Sequence, residues 1–206
     1  IDGRVKDQFL SHVKKWMTAM YEQDPLDNQG YVRMINRKHY DRVMGLIDPA
    51  KVVYGGRGDP DALKIQPTIL DGVSPEDPVM QEEIFGPLLP VLTYDTLDRA
   101  VEFINSRPHP LALYLFSEDR AAQERFLRQV PFGGGCVNDT IIHLATSRMG
   151  FGGVGDSGMG SYHGKLSFDT FSHQKSVVKK STWMDLPVRY APYTALQEKL
   201  LRLFLR

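Results

Sequence analysis

Short apolar segments that suit β-strands alternate along this chain with longer segments of helical periodicity. Apolar side chains recur at helical spacing over residues 4–21 and 36–47, and Asn36 suits an N-cap. The remaining elements predicted from the pattern are strands at 52–54, 67–70, 88–94, 111–116 and 135–138, and helices at 96–105, where Thr96 could serve as the N-cap, and at 117–129. The 111–116 run is apolar throughout, which is typical of a strand buried on both faces. This alternation predicts an α/β fold with a mostly parallel sheet.

The carboxyl-terminal part of the chain has a different composition. Seven of the fifteen residues from 150 to 164 are glycine. Residues 168–180 alternate enough to form a strand, and a final helix carries an apolar face made of Leu196, Leu200, Leu201, Leu203, Phe204 and Leu205. A face of this size needs a partner surface, for which another subunit is the simplest candidate.

Charge, hydropathy and cysteine content exclude several classes of protein. Lysine plus arginine equals aspartate plus glutamate, with 25 of each, so no net field attracts nucleic acid or an anionic membrane. No apolar run is long enough to span a bilayer. A single cysteine, Cys136, excludes an internal disulfide framework and favours a reducing compartment such as the cytoplasm. Because the chain begins with Ile1 rather than methionine, we expect it to be part of a longer protein.

Two glutamates and an aromatic residue stand directly before the strand at 88–94. Glu83 offers a carboxylate that could accept hydrogen bonds from vicinal ribose hydroxyls, and Phe85 offers a ring that could pack on a flat heterocycle. Loops at strand ends are where α/β folds usually bind ligands. On spacing alone, however, a solvated glutamate pair beside a core phenylalanine is the simpler interpretation.

The glycine-rich segment contains a literal match to the dinucleotide motif G-x-G-x-x-G at residues 153–158. That motif should follow a hydrophobic strand and open a helix. Residues 146–149 are not a convincing strand, and nothing helical begins before Gly164. We therefore interpret the segment as a conformationally demanding loop that lines a pocket.

Neither the cysteine nor the histidines form a recognisable catalytic or metal motif. The neighbours of Cys136 supply no charge that would stabilise a thiolate, so it is interpreted as a small buried hydrophobic residue. His143, His163 and His173 lack the spacing of metal ligands, and the sequence predicts no metal site.

Three ordered stretches resemble the aldehyde dehydrogenase superfamily. They are MQEEIFGP at 80–87, ND at 138–139 and FGGVGDSGMG at 151–160. Residues 161–173 are similar to the class 3 branch, which acts on aromatic and medium- to long-chain aldehydes. The resemblance implies an aldehyde dehydrogenase-like catalytic domain over residues 1–169. It also implies an oligomerisation strand and tail over 170–206 that join two copies in a homodimer.

The resemblance implies NAD(P)-dependent oxidation of an aldehyde to a carboxylic acid. In that family a cysteine thiolate adds to the carbonyl, hydride passes to the nicotinamide, and a general-base glutamate activates the hydrolytic water. Cys136 does not occupy the position of that nucleophile. The nucleophile, the general base and the nucleotide-binding domain are all expected upstream of Ile1, so the chain alone is predicted to be inactive and to hold no catalytic residue.

The resemblance also assigns expected roles to particular side chains. Glu83 would hold the nicotinamide ribose of NAD or NADP, and Phe85 would steady the nicotinamide ring. Asn138 would brace its loop rather than touch substrate. Gly150 replaces a proline that is usual in class 3, so the local loop is expected to be looser. The residues expected to line the aldehyde pocket are Ile141, Leu144, Ala145, Phe151, Tyr162 and His163. Glu83, Phe85 and the glycine-rich segment 150–164 are expected to share one cleft, where the cofactor meets the aldehyde.

Two alternatives to a dehydrogenase stay open at this point. The first is a non-enzymatic assembly or binding module of the same fold, which offers its apolar tail to a partner. The second is an enzyme of related fold that acts on another activated carbonyl, such as an acyl-phosphate reductase. The second would not be expected to carry Glu83 and Phe85 together as a clamp for ribose and nicotinamide.

Overall fold

The computed structural model describes residues 1–21 and 24–205. Its helices are α1 (Lys6–Tyr21), α2 (Arg37–Gly45), α3 (Leu97–Asn105), α4 (Arg120–Gln129), α5 (Gly164–Thr170) and α6 (Ala195–Phe204). Its strands are β1 (Val52–Tyr54), β2 (Gly58–Asp59), β3 (Lys64–Ile65), β4 (Thr68–Leu70), β5 (Leu88–Pro90), β6 (Ala112–Leu115) and β7 (Gly134–Val137).

Local capping fixes where several helices begin. The side chain of Asn36 accepts a hydrogen bond from the backbone of His39, and Thr96 caps α3 in the same way through Arg99. Each bond satisfies one of the backbone N–H groups that a helix start leaves free. The N-caps predicted at Asn36 and Thr96 are therefore confirmed.

Helices cover both faces of a sheet with the strand order β1-β4-β5. Strand β4 pairs parallel with β5 and antiparallel with β1. Successive side chains of β4 point to opposite faces. Ile69 packs in a cluster with Leu10 of α1, whereas Leu70 packs with Tyr40 and Val43 of α2. The loop that follows Met80 packs against the buried cluster beneath α2.

A second layer joins the parallel pair β6–β7 to helices α3 and α4. Leu113 and Leu115 pack against a buried cluster that contains Val101 and Phe126. The α/β fold with parallel strand pairs is thus confirmed. Antiparallel pairing adds to it at β1–β4 and in the short β2–β3 ladder.

Two strand predictions are wrong in detail. The strand expected to be buried on both faces, β6, has four half-buried residues, because Tyr114 faces the ring of His143 rather than a second helical layer. The strand expected at 88–94 ends at Pro90, although Tyr94 still forms an isolated bridge with Asp2. The N–H of Val91 still donates to Leu70 of β4, and the residues beyond it bond to the N-terminal residues of the chain instead.

The strand predicted from residue 168 is also wrong at its start. Residues Gly164–Thr170 form α5 instead, and Lys165 pairs with Asp169 one helical turn away. Residues 173–181 form neither helix nor strand within this chain. The final helix is confirmed as α6, and it keeps Leu196, Leu203 and Phe204 exposed. None of the helices in the described ranges is both long and apolar enough to cross a membrane.

Candidate functional site

The loop that carries Glu83 is tied to helix α2 by one arginine. Arg42 donates from Nη1 to Oε1 of Glu82 at 2.6 Å and from Nη2 to the carbonyl of Ile84 at 2.5 Å. These two acceptors flank Glu83. Hydrogen bonds from a guanidinium to a carboxylate are among the stronger polar contacts in proteins, so the loop has a defined course.

Glu83 and Phe85 stay available to a ligand. Glu83 is exposed and makes no hydrogen bond or ion pair with any described residue, whereas its neighbour Glu82 is engaged by Arg42. The ring of Phe85 is 74% exposed. The interpretation of Phe85 as a core residue is therefore wrong, and the two glutamates, alike in sequence, are in different environments.

Phe85 lies at the edge of a largely apolar hollow of about 570 Å³. Residues 31–35 and His39 form the opposite wall. Tyr31 donates its hydroxyl to the carbonyl of Ile65 at 2.7 Å, and burial raises the pKa of Tyr31 to about 12. Sequence reasoning missed this wall. The sequence feature that could have indicated it is a pair of apolar residues outside any periodic element, Val32 and Ile35, both of which are exposed.

An aromatic cluster brings together three residues that the sequence assigned to the aldehyde pocket. Phe151 and Tyr162 exchange two backbone hydrogen bonds, at 2.9 and 3.0 Å, and their rings meet edge to face with centroids 5.7 Å apart. The ring of His163 lies 4.4 Å from that of Tyr162 and stacks on Phe151 at 6.4 Å. The structure thus brings these three side chains together.

Backbone strain is concentrated at the candidate residues. In the described part of the chain, non-glycine residues with positive φ are Leu63, Phe85, Asn138, Ile141 and His163. Only the first of these lies outside the set that the sequence singled out. Strained backbone conformations cluster at functional sites, where the surrounding structure holds them in place.

Asn138 braces its loop, as the resemblance implied. Its side-chain oxygen accepts from the backbone N–H of Ser117 at 2.8 Å, and its amide donates to the carbonyl of Ser117 at 2.9 Å. This paired contact engages both the oxygen and the nitrogen of the amide. It joins the end of β7 to the segment that precedes α4, and the bracing prediction is confirmed.

The G-x-G-x-x-G match folds back on itself rather than opening a helix. Residues 155–157 form one turn of 3-10 helix, and the next α-helix starts at Gly164. A Cβ on Gly153 would lie 2.1 Å from the carbonyl oxygen of Ser157, so glycine is needed there for close backbone approach within the loop. The rejection of this segment as a dinucleotide motif agrees with that geometry.

Cys136 differs from the buried residue that the sequence suggested. It is half-buried and lines a second hollow of about 520 Å³, together with His143 and Ala145. His143, seven positions along the chain, places Nδ1 3.6 Å from its sulfur. No group of three or more histidine, cysteine, aspartate or glutamate side chains in residues 1–21 and 24–205 could hold a metal ion.

The two hollows share no lining residue. Phe85 belongs to the first and Ala145 to the second, while Ile141 and Leu144 line neither of them. The structure therefore brings the aromatic cluster together but does not place Glu83 and the glycine-rich loop around one hollow. A single cleft shared by both stays a prediction.

Comparisons with known proteins decide the family. The Aldehyde dehydrogenase family profile matches residues 1–177. The chain belongs to the aldehyde dehydrogenase family. A family member from Staphylococcus aureus (strain NCTC 8325 / PS 47), named 4,4'-diaponeurosporen-aldehyde dehydrogenase, is 49% identical over 191 residues, which are 92% of this chain and 42% of that protein. A Bos taurus member named "Aldehyde dehydrogenase, dimeric NADP-preferring" is 45% identical over 175 residues, or 85% of this chain and 73% of that one.

A solved structure of the family shows the same architecture. The structure described as the substrate-bound state of Staphylococcus aureus AldH has a TM-score of 0.94 and 46% sequence identity. The match covers 100% of this chain and 45% of the Staphylococcus aureus chain. The aldehyde dehydrogenase-like fold expected from the three motifs is therefore confirmed. The chain spans less than half the length of both Staphylococcus aureus proteins.

Proposed function

We propose that the protein containing this chain is an NAD(P)-dependent aldehyde dehydrogenase of the class 3 type. It oxidises aromatic or medium- to long-chain aldehydes to carboxylic acids. The observation that carries the proposal is the exposed pair of Glu83 and Phe85 on a loop whose other residues are held in place. Membership of the family and the class 3 resemblance of residues 161–173 support the same conclusion.

The residues present fit one end of a nicotinamide cofactor. The free carboxylate of Glu83 can accept two hydrogen bonds from the vicinal hydroxyls of a ribose, and the exposed ring of Phe85 can pack against the nicotinamide. When bound, the cofactor accepts hydride from the substrate. The Bos taurus relative is named NADP-preferring, and both NAD and NADP stay in the proposal.

Six residues are proposed to form the aldehyde pocket: Ile141, Leu144, Ala145, Phe151, Tyr162 and His163. The aromatic cluster supports this role because its rings offer an apolar wall with few polar groups, which is what an apolar aldehyde needs. The positive φ of Ile141 and His163 supports it as well. The wall excludes water from the side of the substrate that does not react.

The remaining parts of the proposal concern the complete protein. The nucleophilic cysteine, the general-base glutamate and the nucleotide-binding domain lie outside residues 1–206, so these residues alone do not oxidise aldehydes. Residues 1–169 belong to the catalytic domain, and 170–206 pair with a second copy in a homodimer. The exposed apolar residues of 170–206 and the word dimeric in the Bos taurus name support the dimer. A single cysteine supports a cytoplasmic location.

Substitution of Glu83→Gln in the full-length protein tests the cofactor role. Loss of a charge-assisted hydrogen-bonded contact should raise the KM for NAD(P) by about 10-fold or more. Glu118→Gln is the matched control, because Glu118 is also exposed and makes no hydrogen bond or ion pair within the described ranges. Unchanged KM and kcat in Glu83→Gln would refute the proposed contact.

A further inference from the structure

The loop from Glu82 to Gly86 is attached to helix α2 at every second residue. Glu82 and Ile84 accept the two hydrogen bonds of Arg42. The side chain of Ile84 packs against the buried cluster under α2. Gly86 lies so close to the helix that a Cβ there would come within 2.7 Å of Cγ1 of Val43.

The residues between these attached positions point away from helix α2. Glu83 and Phe85 are both exposed, and Phe85 has a φ of +44°. A phenylalanine keeps such a conformation only when its neighbours impose it, since the left-handed region is costly for a bulky side chain. Phe85 therefore lies between the attached residues 84 and 86, and Glu83 lies between the attached residues 82 and 84.

We infer that Arg42 is a positioning residue for cofactor binding: it fixes the directions of Glu83 and Phe85 without touching the cofactor. This inference rests on the proposed role of those two residues. Arg42 can serve both acceptors because its guanidinium is a planar fork with several donors. Its side chain is only 26% exposed, which limits competition from water. A lysine in its place has one ammonium group and cannot reproduce the planar fork.

The test compares Arg42→Met and Arg42→Lys with Arg37→Met in the full-length protein. Arg37 is the matched control because it lies on the same helix and pairs only within it, with Asp41. NAD(P)H affinity is measured by fluorescence titration, and kcat is measured at saturating cofactor. We expect Kd to rise about 10-fold in Arg42→Met, by a smaller factor in Arg42→Lys, and less than 2-fold in Arg37→Met. The value of kcat should change less than 2-fold in Arg37→Met.

A double variant distinguishes positioning from a general loss of structure. If Arg42 acts through Glu83, Arg42→Met combined with Glu83→Gln should bind NAD(P)H only slightly more weakly than Glu83→Gln alone. Amide exchange in residues 82–86 should also accelerate in Arg42→Met and not in Arg37→Met. Should Arg42→Met not fold, Arg42→Lys, which cannot serve both acceptors, and Glu82→Ala, which removes one of them, are expected to weaken cofactor binding.

The outcomes separate the two proposals. If Glu83→Gln weakens binding and the Arg42 variants bind normally, the positioning inference is overturned and the cofactor role of Glu83 stands. If neither Glu83→Gln nor Arg42→Met affects binding, the proposed cofactor site itself fails. A fall in kcat with unchanged cofactor affinity in Arg42→Met also overturns the inference.

Discussion

The sulfur of Cys136 lies 3.6 Å from Nδ1 of His143, and Nε2 of the same imidazole is buried without a hydrogen-bond partner. The ring sits between Tyr114 and Phe151, with centroid distances of 5.7 and 5.9 Å. His143 thus behaves more as a packing residue than as a base. The thiol offers only a weak hydrogen bond to one nitrogen, and no described residue hydrogen-bonds the other nitrogen.

Replacement of this histidine should reveal how much it contributes through packing. His143→Phe keeps an aromatic ring and removes the unpaired nitrogen, so the free energy of unfolding should stay within about 1 kcal/mol of the parent. His143→Ala leaves a cavity and should cost about 2–4 kcal/mol. Urea denaturation of both variants measures the difference. If both variants lose the same free energy of unfolding, a polar contact of His143, rather than the volume of its side chain, stabilises the fold.

The ion pair between Lys6 and Asp71 should make stability depend on pH in the acid range. It joins the start of α1 to the end of β4 at 2.8 Å. The hydrogen bond from Lys6 lowers the pKa of Asp71 below its ordinary value of about 3.9. Because the folded pKa is the lower one, the contribution is fully present above about pH 4 and is lost as the pH falls through the folded pKa.

Asp71→Asn should therefore destabilise the protein at pH 7, by at most about 1 kcal/mol, and by less at pH 3. Unfolding by urea at both pH values measures the two losses. Asp27→Asn serves as the control, because Asp27 is exposed and has no ion pair among the described residues. A loss in Asp71→Asn that is the same at pH 3 and pH 7 would contradict the electrostatic origin.

The contact between Gly86 and Val43 predicts opposite effects for two glycine substitutions. The methyl group of Gly86→Ala would press on Val43, which is fully buried, and should destabilise the fold by about 1–3 kcal/mol. Gly45 lies in the last turn of the same helix with open space around it. Gly45→Ala should be neutral or stabilise by up to about 1 kcal/mol. Thermal unfolding measures both, and a stable Gly86→Ala variant would show that α2 can move away from the loop.

Local signals predicted well those elements that depend on neighbouring residues alone. Asn36 and Thr96 cap the helices that they were expected to cap, since an N-cap bond spans three residues. The three motifs also identified the family, because their order and spacing are rarely met elsewhere. The aromatic contact of Phe151 with Tyr162 follows from a loop that closes on itself over a short stretch of chain.

The remaining features depend on contacts between distant parts of the chain. Arg42 meets Glu82 across forty residues, and nothing in either neighbourhood predicts the pair. Cys136 is not in the buried environment that its sequence neighbours suggested, because a turn at Ile142–Leu144 brings His143 back to its sulfur. Residues 168–180 are predicted as a strand because they alternate, but Lys165 and Asp169 pair within a helix, Gly164–Thr170, that alternation alone did not reveal.

The segment 173–180 offers a test of the proposed dimer. It lies exposed without helix or strand in the single chain, and Val178 is 93% exposed. If this segment pairs with a second copy, Val178 becomes buried on dimerisation and a charge there would have to be desolvated. Val178→Asp should therefore shift the full-length protein toward monomer, with at least a 10-fold weaker dimer measured by analytical ultracentrifugation.

Ser181→Asp is the control for that measurement. Ser181 is exposed and polar, and it lies one residue beyond the strand predicted at 168–180, so an added carboxylate there should stay in water and leave the dimer intact. Comparing Val178→Asp with Ser181→Asp separates the effect of burying residue 178 from the effect of an added negative charge. A dimer of normal affinity in Val178→Asp would exclude this segment from the subunit interface, because an unpaired carboxylate cannot be buried there without a large loss of affinity.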